Sequence, residues 1–334
     1  MMTPLCTRSD DDPHHLPGFR RTFAPGHLTL GLGFPLRSRG DDASAGDLAA
    51  QIEAARAAEA GGFAALYVRD IPLRVPSFGD LGQVYDPWIH LSHIAAHTSR
   101  IALGTAGIVL PIRHPLHVAK SAASLDRITG GRFLLGLASG DRPEEFRAFG
   151  LEQGERGERF RENLRVLRHA LNTEMRGIRW PGGWMHSADV VPKPTAASVP
   201  ILMIGSCQQS VTYLAEHGDG WMTYPRDFDA QRRTAARWRE LVEAGGVADA
   251  PFKPFAQSLQ VDLSEDPDET ASPINFGFRL GRRALVQHLD DLRQIGVNHV
   301  LLGVGASTRP IREVIDELSE HVVHRFPALG SSSG

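Results

Sequence analysis

The feature that most constrains the fold of this chain is an alternation of short apolar runs with longer amphipathic stretches. The apolar runs are typical of strands that are buried on both faces of a parallel sheet. They occupy residues 28–32, 65–68, 101–106, 133–137, 201–204, 220–223, 255–263 and 300–304. The amphipathic stretches have helical periodicity and occupy residues 47–62, 87–97, 116–128, 160–171, 211–217, 229–244, 283–295 and 311–326.

Eight units of strand and helix in one chain predict an α/β fold of the (β/α)₈ type, a TIM barrel. An open, doubly wound sheet is the alternative. Residues 1–27 are polar and contain four prolines, so we interpret them as a tail that lies over or beside the domain. Residues 28–330 are expected to form a single barrel domain. Residues 180–194, which contain several Gly and Pro, are interpreted as a hairpin or lid beside the barrel mouth.

Composition and charge argue against several classes of function. A net charge of −3 gives no broad basic surface, so no nucleic-acid partner is expected. The two cysteines, Cys6 and Cys207, cannot form a disulfide framework or a cysteine-rich metal site. His90, His93 and His97 share a helical face but lack the carboxylate of an H-E-x-x-H motif, so no metal is expected. No apolar run is long enough for a membrane span and no secretion signal is visible, so we expect a cytoplasmic protein.

The candidate site residues follow from the barrel, because its reactive end is formed by the residues that come directly after each strand. These residues are Arg69, Asp70, Thr105, Ala106, Gly107, Ser139, Gly140, Asp141, Arg142, Gly205, Ser206, Cys207, Gln208 and Gln209, with residues 303–305. Asp70 is a candidate catalytic residue, since its carboxylate could hydrogen bond to substrate or cofactor. Pairing with Arg69 or Arg113 is the structural alternative. His114 is a second candidate, which could contact a ligand or position a turn before Pro115.

The turn from Gly205 to Ser210 joins a predicted strand to a helix through small and polar residues. Free backbone N–H groups in such a turn can bind a phosphate. The alternative is an ordinary turn in which Ser206 or Ser210 caps the helix. Arg156 and Arg159 precede the helix after the fourth strand, where a guanidinium could bind the same phosphate or could pair with neighbouring glutamates on a solvated face.

Two long motifs give the chain a resemblance to the bacterial-luciferase-like, flavin-dependent monooxygenase family, over about residues 28–326. The segment RIALGTAGIVLPIRHP, residues 100–115, resembles the third strand of the family and its following loop. The segment LDRITGGRFLLGLASGDRPEEFRAFG, residues 125–150, resembles the region of the fourth strand. The patterns VRDIP, residues 68–72, and FGDLGQVYDPW, residues 78–88, resemble an oxidoreductase subgroup. The resemblance implies a non-prolyl cis peptide bond between Ala106 and Gly107, under the flavin ring.

The resemblance also implies which loops hold the flavin phosphate. Ser139, Gly140 and Asp141 take the place of one phosphate loop, with Arg156 as the nearby arginine. Residues 205–209 match the phosphate turn after the fifth strand. The chain departs from luciferase in having Ile71 at the place of a catalytic histidine and Ala138 at the place of a reactive cysteine, which puts light emission in doubt.

For function, the resemblance implies that reduced FMN, supplied by a partner flavin reductase, reacts with O₂ to oxygenate a small organic substrate. A homodimer is expected on the same ground. Two alternatives are kept. One is the same barrel with the deazaflavin F420 as the hydride-transfer cofactor of a reductase or dehydrogenase. The other is a flavin-binding protein without turnover.

Overall fold

Within the residues that the structure describes, the protein is a closed barrel of eight parallel strands surrounded by helices. The structure is a computed structural model, and it describes residues 12–36, 48–78, 85–172, 175–245 and 251–330. The barrel strands are β1 (Thr29–Gly33), β2 (Ala65–Val68), β3 (Ala102–Thr105), β5 (Phe133–Ala138), β8 (Ile201–Ile204), β9 (Gly220–Thr223), β10 (Phe255–Leu263) and β13 (His299–Gly303). The other strands within the described ranges are β4 (Ile108–Val109), β6 (Ile178–Trp180), β7 (Gly183–Met185), β11 (Ser272–Ile274) and β12 (Gly277–Leu280).

The pairing of the strands distinguishes a barrel from an open sheet. Each barrel strand pairs in parallel with the next in the order β1, β2, β3, β5, β8, β9, β10 and β13. The last strand, β13, then pairs with β1, from Thr29 beside His299 to Leu32 beside Leu302. The predicted TIM barrel is therefore confirmed, and the open-sheet alternative is wrong.

The helices that cover the barrel are α1 (Pro17–Thr22), α2 (Leu48–Ala60), α3 (Pro87–Ala95), α4 (Pro115–Thr129), α5 (Pro143–Ala148), α6 (Arg156–Asn172), α7 (Val211–His217), α8 (Phe228–Ala244), α9 (Arg282–Gln294) and α10 (Ile311–His321). All eight predicted helices are present, with bounds that differ by up to five residues, and α1 and α5 are helices that the sequence did not predict. Asp86 caps α3 by accepting hydrogen bonds from the amides of Trp88 and Ile89, at 3.0 and 3.2 Å. A different helix, α4, ends at Gly130, whose φ of 63° lies in the left-handed region that favours glycine.

The main hydrophobic core lies between the strands and the helices. In α9 the buried residues Leu285, Leu289 and Leu292 recur at helical spacing, so one face of the helix packs on the barrel. Strand β5 is buried from Phe133 to Leu137, as expected for a strand with helices outside and side chains inside. Each such fully buried apolar side chain stabilises the fold by about 1.5–3 kcal/mol.

The amino-terminal segment contributes to the barrel, although the sequence suggested a tail. Phe19 and Phe23 are 3% and 4% exposed and pack on side chains from the amino ends of the barrel strands, including Leu134 and Leu202. The amide of Gly18 donates a hydrogen bond to a carbonyl just before β5, at 3.0 Å. Helix α1 therefore closes the floor of the barrel, the end opposite to the mouth.

Two hairpins extend the barrel. The hairpin β6–β7 overlaps only the start of residues 180–194, which were predicted to form a hairpin or lid beside the barrel mouth. It packs on the outside of α6, where Arg165 donates to the carbonyl of Arg179 at 2.9 Å. The second hairpin, β11–β12, was not predicted. Its strand β12 pairs with the end of β10, which carries the hairpin beyond the barrel rim and places Phe276 at the mouth.

Candidate active site

The loops after β3, β5 and β8, the third, fourth and fifth barrel strands, meet at the mouth. A Cβ atom built on Gly107 would lie 2.7 Å from the Cβ of Ala138 and 3.2 Å from the Cβ of Ile204. The short strand β4 also pairs with the end of β5. The structure thus brings these three loops together on one rim, where only glycine fits at position 107.

The peptide bond between Ala106 and Gly107 is not cis, so the expectation of a cis bond there is wrong. The cis bonds within the described ranges precede Pro35 and Pro192. Gly107 has a φ of 121°, a conformation that is open to glycine and turns the chain with a trans bond. The amide of Ala106 donates to the carbonyl of Val68 at 2.7 Å and so continues the ladder with β2.

Thr105 ties two barrel strands together. Its hydroxyl donates to the carbonyl of Gly136 at 2.8 Å and accepts from the amide of the same residue at 2.9 Å. The side chain is fully buried between β3 and β5. Thr105 therefore positions the loop that carries Ala106 and Gly107.

The loop after β5 bends around the end of β4. Gly140 has a left-handed φ of 79°, and a Cβ there would lie 2.7 Å from a methyl carbon of Val109. Ser139 is buried, and the carbonyl of Asp141 accepts a hydrogen bond from Gln153 at 3.2 Å. Close packing thus fixes the backbone of this predicted phosphate loop.

The turn after β8 contains left-handed residues, and several of its amides donate within the protein. Gly205, Cys207 and Gln208 have φ values of 66°, 49° and 56°. The amide of Gly205 donates to the carbonyl of Met222 at 2.8 Å, and the amide of Gln209 donates to the carbonyl of Ser206 at 2.9 Å. The hydroxyl of Ser206 accepts from the amide of Gln208 at 3.2 Å, while Ser210, not Ser206, caps α7.

Cys207 has a structural environment within this turn. Its thiol donates to the carbonyl of Leu137 at 3.4 Å, and burial raises the pKa of the thiol to about 12. The thiol therefore stays protonated at neutral pH and is a poor nucleophile. It helps to attach the turn to β5.

Arg156 is the first residue of α6, and its neighbour Gly157 contacts the same turn. Gly157 packs on Gln208, and Gln209 donates to the carbonyl of Gly157 at 2.8 Å. One terminal nitrogen of Arg156 donates to the carbonyl of Gln153 at 2.8 Å. Its Nε–H is buried and has no hydrogen-bond acceptor among the described groups. A buried donor without an acceptor is unfavourable, so Arg156 and the turn fit an anionic group such as a phosphate.

Arg159, the second arginine considered for the phosphate, points elsewhere. Its Nε–H donates to the carbonyl of Pro111 at 3.4 Å, in the segment between β4 and α4. Another arginine of α6, Arg161, contacts the turn, because its guanidinium donates to Oε1 of Gln209 at 3.4 Å.

Asp70 holds the architecture of the mouth. Its carboxylate accepts from the amide of Val109 at 3.0 Å and from two guanidinium nitrogens of Arg113 at 2.8 and 2.6 Å. The side chain has no exposed surface. The structural alternative, pairing with Arg113, is the arrangement observed, and Asp70 acts by positioning the loop after β3.

His114 lies apart from the phosphate turn. Its Nδ1 accepts from the amide of Leu116 at 3.3 Å and caps α4. Its ring lies 6.1 Å from the ring of Trp180, on the wall of a groove of about 980 Å³ between α6 and the hairpin β6–β7. Burial and the neighbouring His117 lower the pKa of His114, so it is neutral at physiological pH.

Aromatic residues that the sequence reasoning missed line the mouth. Tyr224 follows β9, lies against Gly205 and has its ring 5.2 Å from that of Phe276. The ring of Phe78 lies 4.8 Å from the guanidinium of Arg142, after β5. The position of Tyr224 directly after a barrel strand was the signal that could have found it. Phe276 belongs to the hairpin that was not predicted.

Glu145 was also missed. It lies on α5, is 1% exposed, and has one carboxyl oxygen, Oε1, with no hydrogen-bond partner within the described ranges. In sequence it follows Glu144 in a short helix that begins with Pro143, a pattern that is typical of a solvent-exposed surface.

Part of the motif at residues 78–88 lies outside the described residues, since residues 79–84 are not described. Cys6 also lies outside them. Within the described ranges, His, Cys, Asp and Glu form no group that could hold a metal ion. Among the helices described, none has the length and apolar character needed to span a membrane.

Comparison with known proteins agrees with the barrel fold. The sequence model of the luciferase-like monooxygenase family matches residues 28–319. An uncharacterised protein of Mycobacterium tuberculosis is 33% identical over 246 residues, which cover 67% of this chain and 83% of that protein. The F420-dependent hydroxymycolic acid dehydrogenase of the same organism is 33% identical over 188 residues, covering 54% of this chain and 51% of that protein.

Solved structures with the same fold include two monooxygenases. Monooxygenase RslO1 from Streptomyces bottropensis superposes with a TM-score of 0.70 and 20% identity, over 89% of this chain and 99% of that one. The oxygenating constituent of 3,6-diketocamphane monooxygenase from Pseudomonas putida, in complex with FMN, gives a TM-score of 0.70 and 14% identity. That comparison covers 90% of this chain and 99% of the other. At these identities the likeness establishes a shared fold.

Proposed function

The chain belongs to the luciferase-like monooxygenase family, and we propose that it is an oxidoreductase that uses reduced FMN and O₂ on a small organic substrate. The observation that carries the proposal is the buried, unpaired Nε–H of Arg156, at the start of the helix that contacts the turn at residues 205–209. The FMN that is bound to the camphane monooxygenase, a protein of the same fold, also supports this choice of cofactor.

The residues of the mouth have distinct roles in the proposed function. Arg156 and the hydroxyl of Ser206 would bind the phosphate, Arg156 through charge-assisted hydrogen bonds. Ala106, Gly107 and Ala138 have no bulky side chains and would let a planar ring lie on the backbone of the rim. The family resemblance adds Ser139, Gly140 and Asp141 as a second phosphate loop.

Bound reduced FMN would supply the electrons for O₂ activation and oxygen transfer. The part of the protein would be to orient the substrate and to exclude water. The aromatic pair of Tyr224 and Phe276 could cover an apolar substrate, because both side chains stand at the mouth with about half of their surface exposed. Asp70 would keep the loop after β3 in place beneath the ring.

A second candidate function is F420-dependent hydride transfer. It is favoured by the 33% identity to the F420-dependent hydroxymycolic acid dehydrogenase. F420 also carries a phosphate group, so the turn at residues 205–209 could serve either cofactor. The third candidate is a protein that binds flavin but catalyses no reaction.

The decisive experiment is titration of the purified protein with FMN and with F420, each oxidised and reduced, followed by absorbance and fluorescence. Binding of reduced FMN, with O₂ consumption that depends on an added substrate, supports the proposal. Binding of F420 alone would replace it with the hydride-transfer function. Binding of FMN without substrate-dependent O₂ consumption in a broad substrate screen would favour the non-catalytic reading.

Arg156 gives a sharper test of the phosphate site. Because it would contribute a charged hydrogen bond, Arg156→Ala should weaken the binding of FMN by about 1.5–3 kcal/mol. The matched control is Arg165→Ala, since Arg165 is exposed on the same helix and is paired with Glu162. Unchanged affinity in the Arg156 variant would remove this residue from the site.

The proposal also includes features that the family suggests. A separate flavin reductase would supply the reduced cofactor, the protein would form a homodimer, and it would act in the cytoplasm. Analytical ultracentrifugation tests the dimer. A coupled assay, in which a reductase and FMN replace chemically reduced flavin, tests the requirement for a reductase.

A further inference from the structure

Glu145 is a buried acid at the barrel mouth to which neither the fold nor the proposed chemistry gives a role. It lies on α5, directly after the loop that follows β5, and only 1% of its surface is exposed. The backbone N–H of Leu73, in the loop after β2, faces its carboxyl group. Its Oε1 atom has no partner in the part of the chain that the structure describes. A fully ionised carboxylate would be costly in this position.

The charged groups around Glu145 come from three loops. Asp70 follows β2, and Asp141 and Arg142 follow β5; all three act electrostatically on Glu145. Asp70 is itself paired with Arg113, from the loop after β4. Ionised Glu145 would therefore be a third carboxylate beside Asp70 and Asp141.

These surroundings place the titration of Glu145 near neutrality. Burial raises the pKa of Glu145 to about 7, and Asp70 and Asp141 add to the rise. Arg142 and the amide of Leu73 oppose it. Below this pKa the carboxyl is neutral, and above it the mouth gains one negative charge.

Glu145 also joins two loops that border the candidate site. Its carboxyl faces Leu73, and the neighbouring Arg142 packs on Phe78 from the same loop. A change of charge at Glu145 would act on both loops at once. The loop after β5 is the one that carries Ser139 and Asp141.

We propose that Glu145 is a positioning residue whose proton couples cofactor binding at the barrel mouth to pH. The neutral carboxyl lets the loops after β2 and β5 pack together, and the ionised carboxylate adds repulsion against an anionic cofactor. This inference rests on the proposed function, because it assumes that a phosphate-bearing cofactor binds at the mouth.

The sign of the effect follows from linkage. An anionic ligand favours the protonated form of Glu145, so binding takes up a proton and affinity falls as the pH rises through the pKa. A ligand that raises this pKa by up to one unit changes its own dissociation constant by up to about tenfold. We therefore expect binding to weaken by about threefold to fivefold between about pH 6 and about pH 8.

The experiment measures the dissociation constant of FMN, and of F420, across this pH range in three proteins. They are the wild type, Glu145→Gln, which mimics the neutral acid, and Glu144→Gln, the matched control. Glu144 is the exposed neighbour on the same helix and lies 3.6 Å from Arg147. The titration of the ligand phosphate itself is common to all three proteins, so the difference between their pH profiles isolates Glu145.

A direct measurement does not depend on any ligand. Infrared difference spectra of the wild type between about pH 6 and about pH 8 should lose a protonated-carboxyl band that is absent from Glu145→Gln. This readout also covers the case in which the variant folds poorly, since the band titrates in the wild type.

The outcomes separate the two hypotheses. A pH-dependent affinity in the wild type and in Glu144→Gln, together with a flatter profile in Glu145→Gln, supports the inference. The same profile in all three proteins, or no protonated-carboxyl band in the wild type, overturns it while leaving the proposed function intact. Absence of binding at every pH in all three proteins overturns the proposed function and the inference that rests on it.

Discussion

The ion pair of Asp70 and Arg113 should be among the polar contacts that contribute most to the stability of the mouth. The carboxylate receives three hydrogen bonds, has no exposed surface, and faces a guanidinium that is 24% exposed. Burial opposes the charge of Arg113, yet its contacts with Asp70 and Asp86 raise its pKa. Removal of one partner leaves the other charge buried, which typically destabilises a protein by about 3–5 kcal/mol.

The two single substitutions should differ in magnitude. Asp70→Ala leaves an arginine that water can partly solvate, so we expect the free energy of unfolding to fall by about 3 kcal/mol. Arg113→Ala leaves a carboxylate with no exposed surface, so we expect a loss of about 4–5 kcal/mol. The double variant should lose about 1–3 kcal/mol less than the sum of the two single losses, because the residues share one interaction.

Urea unfolding, followed by circular dichroism and tryptophan fluorescence, measures these differences. The control is the exposed pair of Arg312 and Asp316 on α10, where Asp316→Ala should change stability by less than about 0.5 kcal/mol. Additive effects of the Asp70 and Arg113 substitutions would refute the reasoning. A loss of less than about 1 kcal/mol for Arg113→Ala would refute it too.

Two further substitutions test the meeting of the loops and the floor of the barrel. Gly107→Ala should destabilise the protein by at least about 1–3 kcal/mol, because it adds backbone strain and a contact with Ala138. The matched control is Gly154→Ala, whose Cβ would meet no atom within 4 Å; equal melting temperatures for the two variants would contradict the argument. Phe19→Ala should lower the free energy of unfolding by about 3–5 kcal/mol, because a buried aromatic ring is lost, whereas the exposed Arg20→Ala should have little effect. If neither Phe19→Ala nor Arg20→Ala changed the free energy of unfolding in urea, α1 would not pack on the floor of the barrel, and the argument would be wrong.

The barrel strands could be predicted because a strand that is buried on both faces consists of consecutive apolar residues. The strands at residues 65–68, 201–204, 220–223 and 255–263 have the predicted bounds. The hairpin β11–β12 could not be found in this way, because it is half-exposed and lacks a continuous apolar run.

The floor of the barrel shows how tertiary context can override local sequence. Phe19 and Phe23 stand in a short segment among prolines and charged residues, a composition that is typical of a tail. Only the open amino end of the assembled barrel gives these two rings a place to be buried.

The sequence predicted which loops form the mouth better than it predicted what the individual side chains contact there. The rule that parallel barrels react at the carboxyl ends of their strands located the loops that carry Gly107, Ser139 and Ser206. The partner of Asp70 is 43 residues away in sequence, so spacing alone left its pairing open. The burial of Glu145 depends on a loop from another strand, and no local pattern distinguishes it from the exposed Glu144.

The rings of α1 that seal one end of the barrel also determine how molecules must travel. The side chains that pack on these rings, including Tyr67 and Leu134, fill the interior between the strands, so the described barrel is solid below its mouth. A ligand that binds at the mouth must therefore arrive and depart on the carboxyl side of the strands, and the amino side is free to serve stability alone.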